Sequence, residues 1–184
     1  VYNRGQRADF DVWAQMGNRG WGFDDLLPYF NRSETRISAG DTSQRGQSGE
    51  LPVTDSDWIN PLAEAFLDAA AGAGIPRAPD YNSGFQFGSG YFQRYIHKGR
   101  RVSSAKAFLR PALKRPNVSL RTHAQVVRLE MEGTKATGIT YRDGSDGEHT
   151  VAAAREVILS AGAANSPKIL QISGIGAPDH LQEI

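Results

Sequence analysis

The feature that most restricts the fold is a run of three apolar residues, Val157, Ile158 and Leu159, followed at once by small residues. Consecutive rather than alternating apolar residues are typical of a strand buried on both faces of a parallel sheet. After the small residues, Ser166 and Pro167 are suited to cap and begin a helix that Gly174 would end. The segment therefore predicts a strand, a turn and a helix, the junction at which open α/β sheets bind ligands.

The hydrophobic period is different just upstream, in residues 117–153. Apolar side chains such as Val127 and Leu129 alternate there with polar ones. Alternation predicts strands with one buried face, and Gly133 and the Asp143–Gly144 pair supply turns between them. We expect three or four short antiparallel strands in this part of the chain.

The clearest helix lies at residues 60–74. Asn60 is a good N-cap, Pro61 suits the first helical position, and Gly74 suits the end. The apolar residues of this segment recur at helical spacing, so we expect them to form one face of a core. They are Leu62, Phe66, Ala69, Ala70 and Ala73.

Two other segments carry weaker helix signals. In residues 20–34, Asp24 is a natural N-cap, and Pro28 is acceptable only if it falls in the first turn. Residues 103–114 predict a helix begun by one of two serines and kinked or shortened by Pro111. We expect three of its apolar side chains to point inward: Phe108, Leu109 and Leu113.

Two segments lack a clear helical pattern. Residues 35–59 are rich in Gly, Ser, Thr, Gln and Asp, which indicates a surface excursion that can serve as a lid. Residues 83–97 alternate, and in a strand Tyr91, Gln93 and Tyr95 would share one face with the histidine at 97. A polar and aromatic face of this kind lines a substrate cavity or faces water, and both interpretations remain open.

Composition excludes several classes of protein. The 184 residues are enough for one domain or parts of two, and 39% hydrophobic with 22% charged residues is typical of globular chains. The chain has no cysteine, which excludes disulfides, thiolate metal sites and iron–sulfur clusters. The chain contains no run of 18 apolar residues, so no membrane-spanning helix is predicted. Since a cysteine-free chain fits a reducing compartment, we expect a protein of the cytoplasm or of the inner membrane face.

The net charge of +1 conceals a strong pattern. Residues 81–129 hold 10 basic and no acidic side chains, whereas residues 1–80 carry −5 and residues 130–184 carry −4. We expect the basic block to fold against acidic neighbours of its own chain, with a cofactor phosphate as the alternative. No helix-turn-helix, zinc or stacked-aromatic context accompanies the block, so no nucleic-acid partner is predicted.

Motifs for several kinds of chemistry are missing. The four histidines lack ligand spacing, so we expect no metal site. There is no Gly-x-Ser-x-Gly elbow of a hydrolase, and the neighbouring aspartates lie in solvated, loop-like contexts. Two Gly-x-Gly pairs, at 88–90 and 174–176, lack the third glycine of a dinucleotide loop.

A series of short motifs runs along the whole chain. They occupy residues 1–5, 9–14, 17–21, 27–30, 46–53, 99–105, 108–112 and 162–176. Together they resemble the glucose–methanol–choline (GMC) family of flavin oxidoreductases, and residues 162–176 are similar to that family's second signature throughout. The resemblance covers essentially all 184 residues in the expected order and is nearest to the choline-dehydrogenase-like and alcohol-dehydrogenase-like branch.

The resemblance implies a fold of α/β class with mixed α and β structure. In the family, a discontinuous FAD-binding domain, with a parallel sheet and a small antiparallel sheet, is built around a substrate domain. By this analogy residues 1–35 belong to the FAD domain and its connection, 36–115 to the substrate domain, and 116–184 to the FAD domain again.

The resemblance also implies a cofactor and its contacts. FAD accepts a hydride at N5 from the CH–OH group of an alcohol in this family. Val126 matches the position whose backbone meets the adenine end of FAD, and Ala161 and Gly162 match a small turn beside the cofactor. A larger side chain there would prevent close approach. Tyr91, Gln93 and Tyr95 are the substrate-side candidates from the alternating segment.

Two family features have no counterpart here: the N-terminal pyrophosphate loop and the catalytic histidine with its partner. We therefore assign no catalytic residue and expect an internal fragment of an FAD-dependent alcohol dehydrogenase or oxidase, completed by the remainder of its own chain. Alone, it should bind FAD poorly and not turn over. The alternatives are a family member with non-oxidative chemistry, namely a hydroxynitrile lyase or photodecarboxylase, and a free-standing binding module.

The expected substrate is a small-molecule alcohol, which the sequence does not name, and the electron acceptor is equally open. Choline would call for aromatic and acidic groups around its quaternary ammonium. The block at 81–129 has aromatic residues but no acid, which disfavours choline unless other segments supply the carboxylate.

Overall fold

The computed structural model describes residues 1–38, 43–144 and 147–183. The chain forms two compact units, Val1–Val118 and Ser119–Ile184. Helices and strands occur in both units, with one small parallel pair and two antiparallel sheets among the described residues. The mixed α/β class predicted from the sequence is therefore confirmed.

The first unit contains short elements joined by long connections. In chain order they are α1 (Arg7–Gln15), α2 (Phe23–Ser33), β1 (Glu34–Arg36), β2 (Leu51–Val53), α3 (Pro61–Gly72), β3 (Ile96–His97), β4 (Arg100–Arg101), a π-helical turn (Ala105–Leu109) and α4 (Arg110–Ala112). Strands β1 and β2 pair in parallel, and β3 and β4 form an antiparallel hairpin.

Capping explains where two of these helices begin. The Asn60 side chain accepts a hydrogen bond of 2.9 Å from the Leu62 amide, so the predicted start of α3 is confirmed. The prediction for α2 is wrong, because Gly22 rather than Asp24 is its N-cap. Asp25 accepts from the Gly22 amide at 3.3 Å, which moves the start of the helix forward and leaves Pro28 in the second turn.

The apolar stripe of α3 does not form the core face expected from its spacing. Leu62 is 80% exposed and Phe66 68% exposed, whereas Leu67, outside the stripe, is buried. Helical spacing identifies residues that share a face, but not what that face packs against. Among the described residues, nothing packs over this face of α3.

The interpretation of residues 35–59 as a surface excursion is wrong for part of the described segment, although Trp58 and Ile59 are exposed as it predicts. Val53 is fully buried in β2, and the backbone at Gly46 passes so close to α2 that an added Cβ would lie 2.0 Å from the Asn31 carbonyl oxygen. Glycine, which looked like a loop signal, is needed here for close packing. Residues 39–42, where a lid was expected, lie outside the described residues.

The prediction for residues 83–97 is wrong in its extent, whereas the helix predicted in 103–114 is correct in outline, since it begins after Ser104 and ends at Ala112. Residues 83–97 form a strand only at Ile96–His97, although isolated bridges join Gln93 to Tyr2 and Arg94 to Thr54. In 103–114 a π-helical turn leads into a single α-helical turn.

The inward side chains of that turn are also different from those expected. Ala107 is the buried residue and packs with Leu51 and Val102, whereas Phe108 and Leu113 are each 38% exposed. The wider π turn changes which side chains face inward.

The second unit is built on a three-stranded antiparallel sheet, as predicted. Its elements are β5 (Gln125–Glu132), β6 (Lys135–Arg142), β7 (Glu148–Ala152), α5 (Gly162–Ile172) and α6 (Pro178–Glu183), with strand order β5-β6-β7. Gly133 adopts a φ of 59° in the tight turn between β5 and β6. Helix α5 packs on β5, where the Ser173 hydroxyl accepts from the Leu129 amide at 2.8 Å.

The predicted buried strand at 157–159 does not form. Ile158 is 79% exposed, and the segment is extended without a strand partner among the described residues. A parallel strand needs a neighbour to satisfy its backbone groups, so apolar character alone does not make one. Helix α5 also begins at Gly162, before the predicted cap, and the Ser166 hydroxyl accepts from the Ala161 amide at 3.0 Å instead.

Candidate functional site

The second unit has a cavity of about 740 Å³ between its sheet and α5. The start of β5, the end of β6 and one face of α5 as far as Ile172 form its walls. The lining residues are His123, Ala124, Gln125, Val126, Val127, Arg142, Asp143, Gly144, Ala161, Asn165, Lys168, Ile169 and Ile172. Its volume falls in the range typical of small-molecule sites.

The sheet wall of the cavity is irregular at the site itself. Val126 pairs with Tyr141 and Arg128 with Thr140, so one extra residue, Val127, is inserted between them in β5. Such bulges redirect side chains and are frequent next to binding sites. His123, just before β5, has a left-handed φ of 54°, which turns the chain sharply at the cavity edge.

The helix wall of the cavity is lined by Asn165, Lys168, Ile169 and Ile172, and the small residues Ala161 and Gly162 stand at its start. Gly162, the first residue of α5, has a φ of 89°, and an added Cβ would meet nothing within 4 Å. Glycine is required there by conformation, and the space beside it is open. The first amide groups of an α-helix have no partner within the helix, so the amides at the start of α5 can donate to a ligand's oxygen atoms.

The charged groups around the cavity are mostly basic. Arg142 and Lys168 line it together with one acid, Asp143, and the imidazole of His123 lies at its edge. Arg142 also donates to Glu148 at 2.9 Å, and hydrogen bonds from Arg128 and Arg142 hold the pKa of Glu148 below its ordinary value. Lys168 has no ion pair with any described residue, so its charge is free to meet an anion.

The fold brings together two of the three residues that the resemblance assigned to the cofactor. Val126 and Ala161 lie 35 positions apart in the sequence and line the same cavity. Gly162 begins the adjoining helix but is not among the lining residues.

The three substrate-side candidates are placed in different surroundings. The Tyr91 hydroxyl accepts from the Asn60 amide at 3.3 Å and lines two small cavities beside α3. Tyr95 packs edge-on against Tyr2, with ring centroids 5.4 Å apart. Gln93 is only 1% exposed. The structure therefore does not bring these three side chains together on one cavity.

Gln93 belongs to a buried network of charged and polar groups that sequence reasoning missed. Glu34 lies at its centre, and the fully buried Arg45 pairs with it at 2.7 Å and with Asp80 at 2.6 Å. Arg4 pairs with Glu34 at 2.8 Å, and Gln93 accepts from Arg45 at 2.9 Å. Five distant segments supply these groups, so no local sequence motif predicted the network.

The ionisation of the network follows from its contacts. Burial alone would raise the pKa of Glu34, but hydrogen bonds from Arg45 and Tyr2 and the charge of Arg4 hold that pKa below its ordinary value. Burial raises the pKa of Tyr2 far above its usual range, so the hydroxyl stays neutral and accepts from Arg4 at 2.9 Å. The network is therefore charged and fully paired at its centre, which is the only form in which buried ions are stable.

The first unit also has an aromatic cavity of about 700 Å³ that the sequence did not indicate. Phe23, Tyr81, Phe85 and Phe87 contribute its rings, and the ionisable groups that line it are two arginines with no described carboxylate.

Comparison with known families decides what kind of protein carries these features. The family model for GMC oxidoreductases matches residues 1–183. The chain belongs to this family. The resemblance drawn from the sequence motifs is thereby confirmed.

Curated relatives and solved structures agree with the GMC assignment. An oxygen-dependent choline dehydrogenase from Staphylococcus saprophyticus is 44% identical over 186 residues, which cover 100% of this chain and 33% of that protein. Pyridoxine 4-oxidase from Mesorbium loti is 38% identical with a TM-score of 0.87, covering 98% of this chain and 36% of that one.

An FAD-dependent oxidoreductase from Chaetomium thermophilum is 31% identical, also with a TM-score of 0.87, over 100% of this chain and 34% of its own. This chain therefore spans about a third of the length of the relatives it matches.

Among the described residues, no three His, Asp or Glu side chains lie close enough together to hold a metal ion. His149 instead stacks on Tyr141 and lies 3.1 Å from Asp143.

Proposed function

We propose that this chain is part of an FAD-dependent oxidoreductase acting on the CH–OH group of a small alcohol, and that the cavity of the second unit holds part of the FAD. One observation carries the proposal: Val126 and Ala161, assigned to the cofactor by separate motifs, line the same cavity. Membership of the GMC family supports the class of cofactor.

The residues present fit such a group. The small side chain of Ala161 leaves room at the cavity for close approach to the main chain, and the space beside the neighbouring Gly162 is open. Lys168 and the free amides at the start of α5 complement an anionic nucleotide. The bulge at Val127 disturbs the β5 ladder beside Val126, which makes that main chain suited to meet a flat ring by hydrogen bonds.

FAD supplies the hydride acceptor when it is bound. This chain's part in the reaction is to bind and orient: Val126 positions one end of the cofactor through its backbone, and Ala161 keeps the adjoining space clear. No residue of the chain is assigned to proton transfer. The division into FAD segments at 1–35 and 116–184 and a substrate segment at 36–115 belongs to this proposal.

The proposed substrate is a small-molecule alcohol, with Tyr91, Gln93 and Tyr95 kept as substrate-side candidates. Tyr91 is well placed among them, because it lines two cavities beside α3 in the described part of the first unit. Relatives named as choline dehydrogenases make choline the first alcohol to assay. The remainder of a longer chain would complete the catalytic site.

A matched pair of alanine substitutions tests the cofactor site in the full-length protein. Ala161→Leu puts a large side chain into the cavity, whereas Ala163→Leu places the same group at an exposed position of α5 that is not among the lining residues. We expect FAD content, read from the flavin absorbance per protein, to fall at least about tenfold in the first variant only, since overpacking excludes the ligand.

The companion measurement is alcohol-dependent reduction of an artificial electron acceptor by the unsubstituted protein. Purification without flavin, or equal flavin content in both variants, would show the proposal to be wrong. The 184-residue chain by itself should take up FAD only weakly, so a stoichiometric yellow complex of this piece would contradict the division of the site.

The location also belongs to the proposal. In the part of the chain that the structure describes, no helix is long and apolar enough to cross a membrane. We propose a place in the cytoplasm or at the inner membrane face, and cell fractionation followed by immunodetection distinguishes the two.

A further inference from the structure

We propose that the backbone bend at His123 and a contact of Arg121 with Tyr141 hold the Val126 main chain in place on the cavity of the second unit. The inference rests on the proposed function in one respect, that this main chain meets part of the FAD. It adds His123 and Arg121 as positioning residues, which act through the shape of the chain rather than by touching the cofactor.

The bend lies directly before β5. His123 has a φ of 54°, in the left-handed region, and the strand begins two residues later at Gln125. Asparagine, aspartate and histidine occur in this region more often than other residues with a side chain, whereas β-branched residues almost never adopt it. The backbone at position 123 therefore restricts which residues can stand there, independently of any chemistry of the imidazole.

The bend determines what Arg121 can reach. Five residues of extended chain span about 16 Å, so a straight continuation of β5 would carry Arg121 far from the strand partner of Val126. The chain bends at 123 instead, and the Arg121 guanidinium donates to the Tyr141 hydroxyl and lies 5.2 Å from the centre of its ring. Tyr141 is also the residue that pairs with Val126 across the sheet. These residues and the bend therefore form a closed ring of contacts.

Tyr141 is a firm anchor for this ring of contacts. It is only 3% exposed, and the His149 ring stacks on it with centroids 5.3 Å apart. After Val126, by contrast, the bulge at Val127 interrupts the ladder, which resumes at Arg128. A bulge locally disrupts strand pairing, so it loosens the hold of the rest of β5 on its neighbour. The position of Val126 therefore depends on Tyr141 and on the bend that precedes the strand.

The consequence for binding is preorganisation of the main chain. A backbone group that is already in place loses little conformational entropy when a ligand binds, so fixing it raises affinity without any new contact. Residues that fix Val126 should therefore change the dissociation constant of FAD, although they need not touch it.

Substitutions at His123 separate the backbone role from a contact by the imidazole, which lies at the cavity edge. His123→Asn and His123→Gly remove the imidazole and keep the left-handed conformation, whereas His123→Val disfavours that conformation. FAD is titrated into the flavin-free full-length protein and followed by flavin fluorescence. We expect the dissociation constant to rise at least about tenfold for His123→Val, because the left-handed conformation is unfavourable by about that factor. It should stay within about twofold for the other two variants.

Lys98→Val is the matched control. Lys98, in the turn between β3 and β4, is also a non-glycine residue with a left-handed φ, at 50°, so the same substitution strains the first unit instead. FAD binding by this variant should be unchanged. Equal losses in the two valine variants, equal losses in all three His123 variants, or unchanged binding in His123→Val would each overturn the proposal.

A double-mutant cycle tests the part of Arg121. Arg121→Met and Tyr141→Phe each remove the hydrogen bond between the two side chains, and each should weaken FAD binding roughly threefold or more. Since Arg121 acts through Tyr141, the double variant should bind FAD no more weakly than the weaker of the single variants. Additive losses would contradict the role of this contact.

Hydrogen exchange separates this inference from the FAD proposal. In the flavin-free full-length protein, His123→Val should speed exchange of the backbone amides at 124–127 roughly tenfold or more, whereas His123→Asn should not. Unchanged exchange in His123→Val would show the positioning role to be wrong. A protein that binds no FAD but shows this difference in exchange would refute the FAD proposal and leave the role of the bend intact.

Discussion

The two units of the chain hold their interiors together by different means. The first buries charge as well as apolar side chains: Glu34 and Arg45 are at most 3% exposed and are tied to side chains contributed from positions 4 to 93. The second buries apolar side chains such as Leu129 and Ile169 between a local sheet and the helix that follows it. The comparison teaches that an ionic interior depends on each partner, whereas a sheet spreads its stability over many contacts.

The largest expected effect is that of removing the central charge of the first unit. Glu34→Gln leaves Arg45 and Arg4 buried without their shared carboxylate, and breaking a buried pair in this way costs about 3–5 kcal/mol. Urea unfolding, with hydrogen exchange to report on residues 1–118, measures the loss. Asp24→Asn is the control, because its pair with Arg7 is exposed and should matter little.

A smaller loss is expected from the apolar interior of the second unit. Leu129→Ala removes a buried side chain beneath α5 and should lower the free energy of unfolding by about 2–3 kcal/mol. Ile158→Ala should change it by less than about 0.5 kcal/mol, since that side chain is 79% exposed. A large effect at Ile158 in the 184-residue chain would mean that the segment is buried after all.

Close backbone packing in the first unit gives the third prediction. Gly46→Ala brings a Cβ against the carbonyl oxygens of Asn31 and Glu34, so we expect a loss of about 1–3 kcal/mol in thermal or urea unfolding. Gly72→Ala, in α3 with nothing within 4 Å, should raise stability by up to about 1 kcal/mol. The two substitutions should change the free energy of unfolding in opposite directions.

Low pH should lower the stability of the first unit more than that of the second. Its effect on the first unit should still be smaller than that of Glu34→Gln. The pKa of Glu34 is held below its ordinary value, so its contribution is complete above the unfolded value of about 4.3 and disappears as the pH falls through the folded pKa. A protonated Glu34 still fills its site, which limits the effect. Unfolding free energies measured from pH 7 to pH 3 should decline less steeply in Glu34→Gln, and parallel curves would contradict this assignment.

Local signals explain what was predictable. The alternation around Leu129 and the Gly133 turn gave the sheet of the second unit, and Asn60 gave the start of α3. These features depend on contacts within a few residues, which the order of amino acids specifies directly. Of the site, Val126 and Ala161 were found only through family motifs, and their meeting on one cavity was a result of the fold.

Non-local contacts explain what was missed. The network around Glu34 draws on segments up to 89 residues apart, so each of its charges looked like an ordinary surface residue in the sequence. The stripe on α3 and the run at 157–159 failed for the opposite reason, because their apolar character indicates burial without supplying a partner. Burial is a property of two surfaces, and a sequence pattern describes one of them.

The sequence by itself determined the family, the mixed class of fold, the antiparallel sheet and the uneven distribution of charge. Only the tertiary structure decided that Arg45 and Glu34 lie inside the first unit, and that Val126 and Ala161 line one cavity. The physical reason is distance along the chain. Periodicity and capping act over a few residues, whereas ion pairing and cavity shape are set by which remote segments the fold brings within a few ångströms.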